Sequence, residues 1–336
     1  MTRTMPAEWQ PHLRTWMAWP PTGPLTQDLD AAGVHEVRSA WAAVANAVLE
    51  FEPVTMVIEA DDVDAARVLL ADGVELVVAP LNDAWMRDMG PTFVHATDGR
   101  VAAVDWVFNG WGAQDWARWA NDSLVGALVA AEAGVERVAS SMVNEGGGIH
   151  VDGEGTVLVT ETVQLDAGRN PTYSKGDVEA ELRRTLGVDR VVWLARGLTR
   201  DYGTFGTRGH VDIVAAFAGP GTILYHDQRN PEHPDHEVSA EVRRTLEQSG
   251  GWRLVAVPAP EVLRDEHGWV DYSYINHYVV NGAVILCAFD DPGDERAAEI
   301  LRLAYPGRKV VLVDARAIFS RGGGIHCITQ QQPQPL

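Results

Sequence analysis

A cysteine near the end of the chain is the residue best suited to chemistry. Cys327 follows three consecutive glycines, Gly322 to Gly324, and Cys287 is the only other cysteine among the 336 residues. Because glycine has no Cβ atom, a glycine-rich backbone can approach a ligand closely. We interpret Cys327 as a candidate nucleophile and Cys287, which stands in an apolar strand, as a core residue.

His210 and Asp212 form a second pair of candidates. On a β-strand, positions two apart point to the same face, so both side chains would lie on one side of a strand. The His-x-Asp pattern is weak by itself, because a histidine is more often a core or surface residue than a catalyst. A thiol nucleophile needs a positive or proton-accepting partner, and we predict that His210 is this partner for Cys327.

Asp88 and Glu145 add two carboxylates to the predicted site. A planar guanidinium presents five donors in a fixed fork, so Asp88 and Asp212 could hold it from two edges. The alternative for Asp88 is a local ion pair with Arg87. Glu145 could hold His210 protonated. Because three carboxylates in one enclosed site repel one another, we predict that the substrate carries a positive charge.

The order of predicted elements repeats along the chain, with a hairpin, a helix and a closing strand in each unit. Asp98-Gly99, Asp152-Gly153 and Asn281-Gly282 are strong hairpin turns. Hairpins are predicted at 92–107, 149–163, 211–226 and 277–289, helices at 28–49, 61–70, 117–133, 176–186, 237–248 and after Asp291-Pro292, and further strands at 15–20, 54–59, 74–80, 135–139, 191–194, 254–258 and 310–314. The closing strands therefore recur about every 60 residues.

Five ββαβ-like units predict a closed ring, which is an α/β propeller of five blades with pseudo-fivefold symmetry. The polar motifs follow the closing strands, so we expect all of them at one end of a central channel. These motifs contain Asp88, Glu145, His210 with Asp212, Asn276 and Cys327. We assign residues 1–336 to a single domain. The alternative is a pair of unrelated α/β domains whose periodicity is accidental.

Composition excludes several classes of partner. Forty-seven acidic and 27 basic residues give a formal net charge of -20, which argues against binding to a nucleic-acid backbone. No run of 18 uncharged apolar residues is present and residues 1–8 lack the apolar core of a signal peptide, so we predict a cytoplasmic protein without a membrane partner. Two cysteines cannot form a disulfide framework. The sequence leaves self-association into a homo-oligomer open.

One group of histidines, His226, His233 and His236, could suggest a metal site. They surround two prolines in an acidic loop, and neither a CxxC nor an HExxH motif accompanies them. We interpret this loop as solvated surface, and we predict that the protein uses neither a metal nor another cofactor.

With these residues, the chain resembles the agmatine deiminases, which belong to the guanidino-group-modifying superfamily with the pentein fold. The resemblance covers nearly the whole chain, and its combined motifs are highly specific. The matching segments are Met5 to Trp9, Trp16 to Pro20, Trp85 to Pro91, Glu145 to Thr156, Gly209 to Asp212, Tyr274 to Asn276 and Gly322 to Gln331.

The resemblance implies a hydrolytic deimination. Asp88 and Asp212 would bind the guanidinium, and Cys327 would attack its central carbon. His210, oriented and charged by Glu145, would protonate the departing ammonia and then activate water. With agmatine as the substrate, the products would be N-carbamoylputrescine and ammonia. This sequence of nucleophilic and acid–base steps needs no cofactor.

One segment departs from the family pattern. Agmatine deiminases carry acidic residues shortly before this histidine, facing the far amine of the substrate, whereas Arg208 stands two positions before His210 here. An arginine could bind a carboxylate, so arginine, a shorter guanidino acid or a C-terminal peptidyl arginine are alternative substrates. The other alternative is that Arg208 points outward or pairs with Asp201. The predicted substrate-binding residues are Trp85, Asp88, Arg208, Asp212, Asn276 and Gly324.

Three rival functions use the same residues differently. An amidinotransferase would form the same covalent intermediate and pass the amidine to an amine. A binding module for cationic ligands would need no nucleophile, and a peptidase would use Cys327 and His210 without a cation site. The complete set of thiol, histidine and three acids favours the deiminase over the binding module and the peptidase.

Overall fold

The structure, a computed structural model, describes residues 3–265 and 267–336. Met1, Thr2 and Glu266 lie outside the described residues. The predicted domain, 1–336, and the segment 1–8, for which we predicted no signal peptide, both begin with two residues that lie outside the described part of the chain.

The chain alternates short strands with helices. The strands are β1 (Arg3–Thr4), β2 (His12–Ala18), β3 (Val54–Ile58), β4 (Glu75–Val78), β5 (Thr92–Ala96), β6 (Val101–Val107), β7 (Glu136–Val143), β8 (Ile149–Val151), β9 (Thr156–Thr160), β10 (Arg190–Leu194), β11 (Ala215–Gly219), β12 (Thr222–Asp227), β13 (Arg253–Pro258), β14 (Arg264–Asp265), β15 (Gly268–Trp269), β16 (Tyr278–Val280), β17 (Ala283–Ala288), β18 (Lys309–Asp314) and β19 (Gln330–Pro333). The helices are α1 (Ala31–Leu49), α2 (Val63–Leu69), α3 (Met86–Met89), α4 (Gly110–Ala113), α5 (Val125–Glu132), α6 (Glu161–Gln164), α7 (Lys175–Leu186), α8 (Asp235–Ser249), α9 (Gly293–Ala304) and α10 (Arg316–Phe319).

Four sheets share one pattern, in which an antiparallel hairpin is followed by a helix and a strand parallel to the second hairpin strand. These sheets are β5-β6-β7, with β1 on the outer side of β5, then β8-β9-β10, β11-β12-β13 and β16-β17-β18. Gly99 and Gly282 have φ of 80° and 78° at two of the hairpin turns, a conformation that glycine adopts at no steric cost. The predicted repeat is confirmed.

The two ends of the chain build the fifth sheet together. The C-terminal strand β19 pairs antiparallel with β2, with Gln330 opposite Trp16, and β2 continues in parallel to β3 and β4. The Trp16 indole N–H donates to Gln332 Oε1 at 2.9 Å. The sequence analysis did not predict β19, because its glutamines lack the apolar pattern of a strand. This pairing closes the ring.

Helices fill the space between neighbouring blades. α7 packs on β7 of the preceding blade, α8 on β10, α9 on β13 and α1 on β18. First strands of adjacent blades also meet, as β8 contacts β11 and β5 contacts β19. This order of contacts is that of a five-bladed α/β propeller, the pentein fold, as predicted.

The longest helix, α1, shows how the helices are anchored. The side chain of Asp30 caps it by accepting from the Gly33 N–H at 2.9 Å, which satisfies a donor left free at a helix start. Its buried face includes Trp41, Val44 and Val48. Across residues 3–265 and 267–336, no helix is both long enough and apolar enough to cross a membrane.

Two local predictions were wrong. His210 is extended, but Asp212 lies in a single 3-10 turn, Val211–Ile213, so the two residues do not share a strand. The helix predicted at 117–133 is reduced to α5 and a preceding 3-10 turn. Asp122 explains the shortening, because its buried carboxylate accepts from the backbone N–H groups of Asn82 and Asp83 and fixes a polar turn there.

Candidate active site

The Cys327 sulfur is surrounded by groups from other segments of the ring. The Asn276 side-chain amide donates to Sγ at 3.2 Å, and Asp212 Oδ2 lies 3.6 Å from Sγ. A Cβ atom at Gly323 would lie 3.0 Å from Sγ and 2.8 Å from the Trp85 ring. The glycine run therefore allows the close approach that the sequence predicts.

The resting thiol is protonated. Burial, followed by the charges of Asp212 and Asp88, raises the pKa of Cys327 well above its ordinary value, although hydrogen bonds from Gly324 and Asn276 oppose this. Two neighbouring carboxylates disfavour a thiolate, whereas a cation placed between them and the sulfur would favour it. The geometry thus couples thiol activation to the arrival of a positive charge.

His210 faces two acids. Its Nε2 lies 3.2 Å from Glu145 Oε2, and its Nδ1 lies 3.8 Å from Asp88 Oδ1. Burial lowers the pKa of His210, but Asp88, Glu145 and Asp212 together outweigh burial and raise the pKa to about 9. His210 is therefore an imidazolium at neutral pH, and its Nδ1 has no hydrogen-bond partner within residues 3–265 and 267–336. Such a group can donate a proton to a leaving nitrogen.

Glu145 is held by an arginine that the sequence analysis did not identify. Both carboxylate oxygens accept from Arg169 Nε at 3.0 Å, and both side chains are fully buried. Burial would raise the pKa of Glu145, but Arg169 and His210 lower it. Glu145 is therefore charged, and its position beside His210 favours a protonated imidazole. No local pattern marks Arg169, because it lies in a loop 24 residues later.

Asp88 is oriented by two donors. The Trp111 indole N–H donates to Oδ2 at 2.9 Å, and the Gly147 N–H donates to Oδ1 at 3.1 Å. Burial raises the pKa of Asp88 to about 6; His210 acts against this, and Asp212 and Glu145 add to it. The carboxylate has no arginine or lysine partner among its hydrogen bonds, so a substrate cation can become its counterion.

Arg87 does not form the local ion pair that was the alternative for Asp88. Its guanidinium donates to Gln331 Oε1 at 2.8 Å and to the His326 carbonyl at 3.2 Å. Its backbone N–H also donates to the Cys327 carbonyl at 3.1 Å. Arg87 therefore fixes the segment that carries the nucleophile, and Asp88 is left free to face the site.

Asp212 differs from Asp88 in having a histidine within hydrogen-bond distance. Its Oδ2 accepts from His326 Nδ1 at 2.8 Å, while its buried Oδ1 has no hydrogen-bond partner among the described residues. Burial would raise the pKa of Asp212, but His326, followed by His210, lowers it. Asp212 is consequently ionised and offers an unused oxygen to a donor.

These groups can converge on the backbone of Gly147 because that residue has no side chain. A Cβ atom there would lie 2.5 Å from His210 Nδ1, 3.0 Å from Asp88 Oδ1 and 3.1 Å from Asp212 Oδ2. Two carboxylates and an imidazolium thus border one small cradle beside the thiol. Its two carboxylates suit a planar guanidinium, which presents donors on two edges.

The structure brings all the predicted catalytic residues together, and it also places Trp85 at the glycine run. Asn276 and Gly324, predicted to bind substrate, both lie against the sulfur: the Asn276 amide donates to Sγ, and Gly324 contributes a backbone hydrogen bond. Asn276 Oδ1 also accepts from the His326 N–H at 3.0 Å. This geometry favours a role for Asn276 and Gly324 in orienting the Cys327 thiol.

Arg208 does not present a free cation to the site. Its Nη1 donates to Asp166 Oδ2 at 3.0 Å, and its side chain is 37% exposed. The predicted alternative pairing with Asp201 is also wrong, because Asp201 accepts from backbone N–H groups of Thr207, Gly209 and His210. The backbone of Arg208 has φ of 70°, and this left-handed turn carries its side chain to Asp166.

A row of aromatic rings closes one side of the site. Trp111, which donates to Asp88, stacks on Trp116 with centroids 5.2 Å apart, and Trp116 meets Phe205 at 5.3 Å. Phe205 in turn packs so close to Gly322 that a Cβ atom there would overlap its carbonyl. The row was not predicted, although Trp111 stands between two glycines, a pattern that can mark a ring held close to the backbone.

A buried trio, Glu8, His150 and His326, has the donor atoms of a metal site, but its nitrogens are already used. His326 contacts Asp212 through Nδ1 and Glu8 through Nε2. His150 Nδ1 accepts from the Phe217 N–H at 3.2 Å, which places the proton on its other nitrogen. A metal needs unprotonated nitrogens, so the trio fits a hydrogen-bonded network better.

The three histidines assigned to solvated surface behave differently from that prediction. His226 and His233 are buried, and His226 Nδ1 contacts Ser273 Oγ at 3.1 Å. His233 lies 3.1 Å from the Val270 carbonyl, and His236 lies 2.9 Å from the Gln228 carbonyl. Their contacts are those of residues that fix a loop.

Comparisons with known proteins agree with this architecture. Residues 4–333 match the family described as Porphyromonas-type peptidyl-arginine deiminase. A Streptomyces coelicolor protein with a provisional agmatine deiminase name is 60% identical over 99% of this chain and 100% of its own length. The agmatine deiminase of Ectopseudomonas mendocina is 39% identical over 98% of this chain and 95% of its own length.

A solved structure gives the same result. The structure described as agmatine deiminase of Enterococcus faecalis catalysing its reaction has a TM-score of 0.93 and 30% identity, and covers 100% of this chain and 97% of that one. With the propeller, the acidic cradle and the thiol already in place, these matches show that the chain belongs to the Porphyromonas-type peptidyl-arginine deiminase family and, within it, to the agmatine deiminases.

Proposed function

We propose that this protein hydrolyses agmatine to N-carbamoylputrescine and ammonia, with Cys327 as the nucleophile. As a member of its family it is a hydrolase of amidine C–N bonds. The observation that carries the proposal is the cradle at Gly147, where Asp88, Asp212 and His210 surround a space beside the sulfur. Agmatine supplies the guanidinium that this cradle fits, and the relatives that share the whole chain are named for that substrate.

Binding comes first in the proposed mechanism. The guanidinium donates to the carboxylates of Asp88 and Asp212, which replaces their mutual repulsion by two charge-assisted contacts. Its charge lowers the pKa of the Cys327 thiol, which lies 3.6 Å from Asp212 Oδ2 and releases its proton to solvent water. The thiolate then lies beside the electrophilic carbon, which favours attack.

Two covalent steps follow. Sγ bonds to the guanidinium carbon, and the His210 imidazolium gives its proton to one nitrogen, which leaves as ammonia. The remaining amidine is a cationic thiouronium on Cys327. The now neutral His210 takes a proton from water, and the resulting hydroxide adds to the same carbon. The C–S bond then breaks as the C=O bond forms, the hydroxyl proton passes to the sulfur, and the ureido product is released.

An assay of product formation tests the proposal. Agmatine, arginine and guanidino acids of different length are incubated with the protein, and ureido product and ammonia are measured together. We expect agmatine to be preferred, with equal amounts of ureido product and ammonia and no added amine acceptor. A preference for a carboxylate-bearing guanidine, or a requirement for an acceptor amine, would show that the proposed function is wrong.

Two wider statements rest on the same proposal. N-carbamoylputrescine needs only loss of its carbamoyl group to become a diamine, so the activity would serve polyamine biosynthesis. The need for a reduced thiol favours a cytoplasmic location. Cell fractionation with detection of the protein tests the location, and polyamine content in a strain lacking the protein tests the pathway.

The pH dependence of the reaction should be bell-shaped. Asp88, whose pKa is about 6, must be ionised to bind the cation, so kcat/KM rises with pH through that region. His210, whose pKa is about 9, must be protonated to release ammonia, so kcat/KM falls above it. Initial rates with agmatine between about pH 5 and about pH 10 measure both limbs. A profile that keeps rising through pH 9 would contradict the role of His210.

Replacing Arg208 should change little. Because Arg208 is paired with Asp166 and partly exposed, Arg208→Ala should leave kcat/KM for agmatine within about threefold of the original value. The preference for agmatine over arginine should also stay. Arg200→Ala is the matched control, since Arg200 lies in the same segment and pairs with Asp265 at 2.7 Å. A change in preference with Arg208→Ala alone would restore a role in substrate selection.

A further inference from the structure

Behind Asp212 lies a pair of ionisable groups that the proposed mechanism does not use. His326 Nδ1 contacts Asp212 Oδ2 at 2.8 Å, and His326 Nε2 contacts Glu8 Oε2 at 2.8 Å. All three side chains are buried. Carboxylates occupy both ring nitrogens of His326, so the ring has no nitrogen left to bind substrate.

Glu8 is held in place by the propeller. It lies in the segment between β1 and β2, and its Oε1 accepts from the backbone N–H of Val279, in β16, at 2.8 Å. Its Oε2 lies 3.9 Å from an Arg87 guanidinium nitrogen. The order Glu8, His326, Asp212 therefore leads from the N-terminal segment to the thiol, which lies 3.6 Å from Asp212 Oδ2.

We propose that Glu8 and His326 are positioning residues, which keep the Asp212 carboxylate ionised and aimed at the guanidinium in the free enzyme. The proposal deepens the proposed function and rests on it. Through this pair the protein sets the affinity of the cradle for a cation before any substrate arrives. His326 and Glu8 touch neither substrate nor the reacting carbon in this account.

The two carboxylates that flank the cradle show what the pair does. Both are buried, yet the pKa of Asp88 is raised to about 6 while that of Asp212 is lowered. The clearest structural difference between them is the direct contact of Asp212 with His326. Burial and Arg87 act to lower the pKa of His326, but Glu8 and Asp212 outweigh them and raise it. Glu8 therefore keeps His326 positively charged, and the charge on His326 in turn keeps Asp212 ionised.

Other charged or titratable groups face Glu8, His326 and Asp212 and interact with them. His150 stacks on His326 with centroids 6.0 Å apart, and the Tyr278 ring lies 6.5 Å away. The further groups that interact with His326, Glu8 or Asp212 from neighbouring elements are Arg87, Asp88, His150, His210, His277, Cys287, Tyr305 and Cys327. Arg87 lowers the pKa of Glu8 and of Asp212, which favours their ionised forms, but it also lowers the pKa of His326. Glu8 is needed to offset this effect of Arg87 on His326.

The test removes one charge at a distance from the cradle. Glu8→Gln keeps the size of the side chain and its acceptor for the Val279 N–H, but it withdraws the anion from His326. Asp212 then loses the charge that offsets its burial, and its pKa should rise past that of Asp88, so that Asp212 replaces Asp88 as the group that sets the acidic limb. That limb of kcat/KM for agmatine should move upward by about one pH unit, a roughly tenfold loss. KM should rise more than kcat falls, because binding of the cation is what weakens.

A second variant protects the test against misfolding, and a matched control isolates the charge effect. His326→Asn retains a neutral donor toward Asp212 and should shift the same limb in the same direction.

Glu52→Gln breaks another buried histidine–carboxylate pair, His12 Nδ1 with Glu52 Oε1 at 3.0 Å, which does not contact Asp212. Glu52→Gln should lower the melting temperature and leave the pH profile in place. An equal shift with Glu52→Gln would overturn the proposal.

A measurement without turnover separates this inference from the proposed function. A small haloacetamidine carries an amidinium on an alkylating carbon, so its reaction with Cys327 needs the same carboxylates but no deimination. The rate of alkylation, followed by peptide mass spectrometry, should fall in Glu8→Gln with the same upward shift in pH. If the original protein fails to deiminate agmatine while this shift is seen, the agmatine assignment is wrong and the positioning role stands. If it deiminates agmatine and Glu8→Gln shifts neither profile, the positioning role is wrong.

Discussion

Cys327→Ala should abolish formation of ureido product from agmatine, with a loss of at least about 10⁴-fold in kcat. The sulfur is the only nucleophile that the structure places beside the cradle of Asp88 and Asp212 within residues 3–265 and 267–336. Binding should survive, because the carboxylates remain. The thiol of the free enzyme is neutral, so its removal should leave the affinity for agmatine within a few-fold of the original value. Titration calorimetry with the inactive variant measures that affinity.

The second cysteine provides the control for this prediction. Cys287 is fully buried in β17, and its thiol donates to the Asn276 carbonyl at 3.1 Å. Cys287→Ala removes a thiol of the same size from the core, so it should lower the melting temperature and retain turnover within a few-fold. Retained turnover in Cys327→Ala, or its loss in Cys287→Ala with an intact fold, would contradict the assignment of the nucleophile.

Gly147→Ala should be nearly as damaging, although it adds only a methyl group. The new Cβ atom would lie 2.5 Å from His210 Nδ1 and close to the carboxylates of Asp88 and Asp212, so these groups would have to shift from the positions in which they hold the guanidinium. We expect KM for agmatine to rise and kcat/KM to fall by at least about 10²-fold, since a small misplacement of reacting groups has effects of this size. Initial rates and agmatine titration measure both quantities.

A variant of the neighbouring glycine, Gly148→Ala, is the control that distinguishes a local effect at the cradle from a general loss of stability. A Cβ atom at Gly148 would meet the side chains of Val163 and Gln164 at 3.1 and 3.3 Å, away from His210. Gly148→Ala should therefore cost some stability but retain most activity. If both variants lose activity equally at unchanged melting temperature, the space beside Gly147 is not where the substrate binds.

Much of the architecture could be predicted because its signals are local. Asp-Gly and Asn-Gly turns mark hairpins wherever they occur, and Asp98-Gly99 and Asn281-Gly282 both stand at turns of the structure. The repeat then determined which motifs lie at the same end of the ring. Convergence of Asp88, Glu145 and His210 followed from topology, without knowledge of any single contact.

Other features could not be predicted because they depend on partners distant in sequence. Arg169 supports Glu145 from a loop without a motif, and Glu8 reaches His326 across 318 positions. The strand β19 has no apolar pattern, and only its pairing with β2 makes it a strand. Arg208 was misjudged because its left-handed backbone, which sends the side chain to Asp166, leaves no trace in residue type.

Direct detection of the covalent intermediate tests the central claim. Agmatine is mixed with the protein, the reaction is quenched in acid within the first turnover, and intact-mass and peptide mass spectrometry are applied. The account predicts an adduct on the peptide containing Cys327, with the mass of agmatine less one ammonia, and none on the peptide containing Cys287. Production of N-carbamoylputrescine without any adduct at Cys327, or with undiminished turnover in Cys327→Ala, would contradict it.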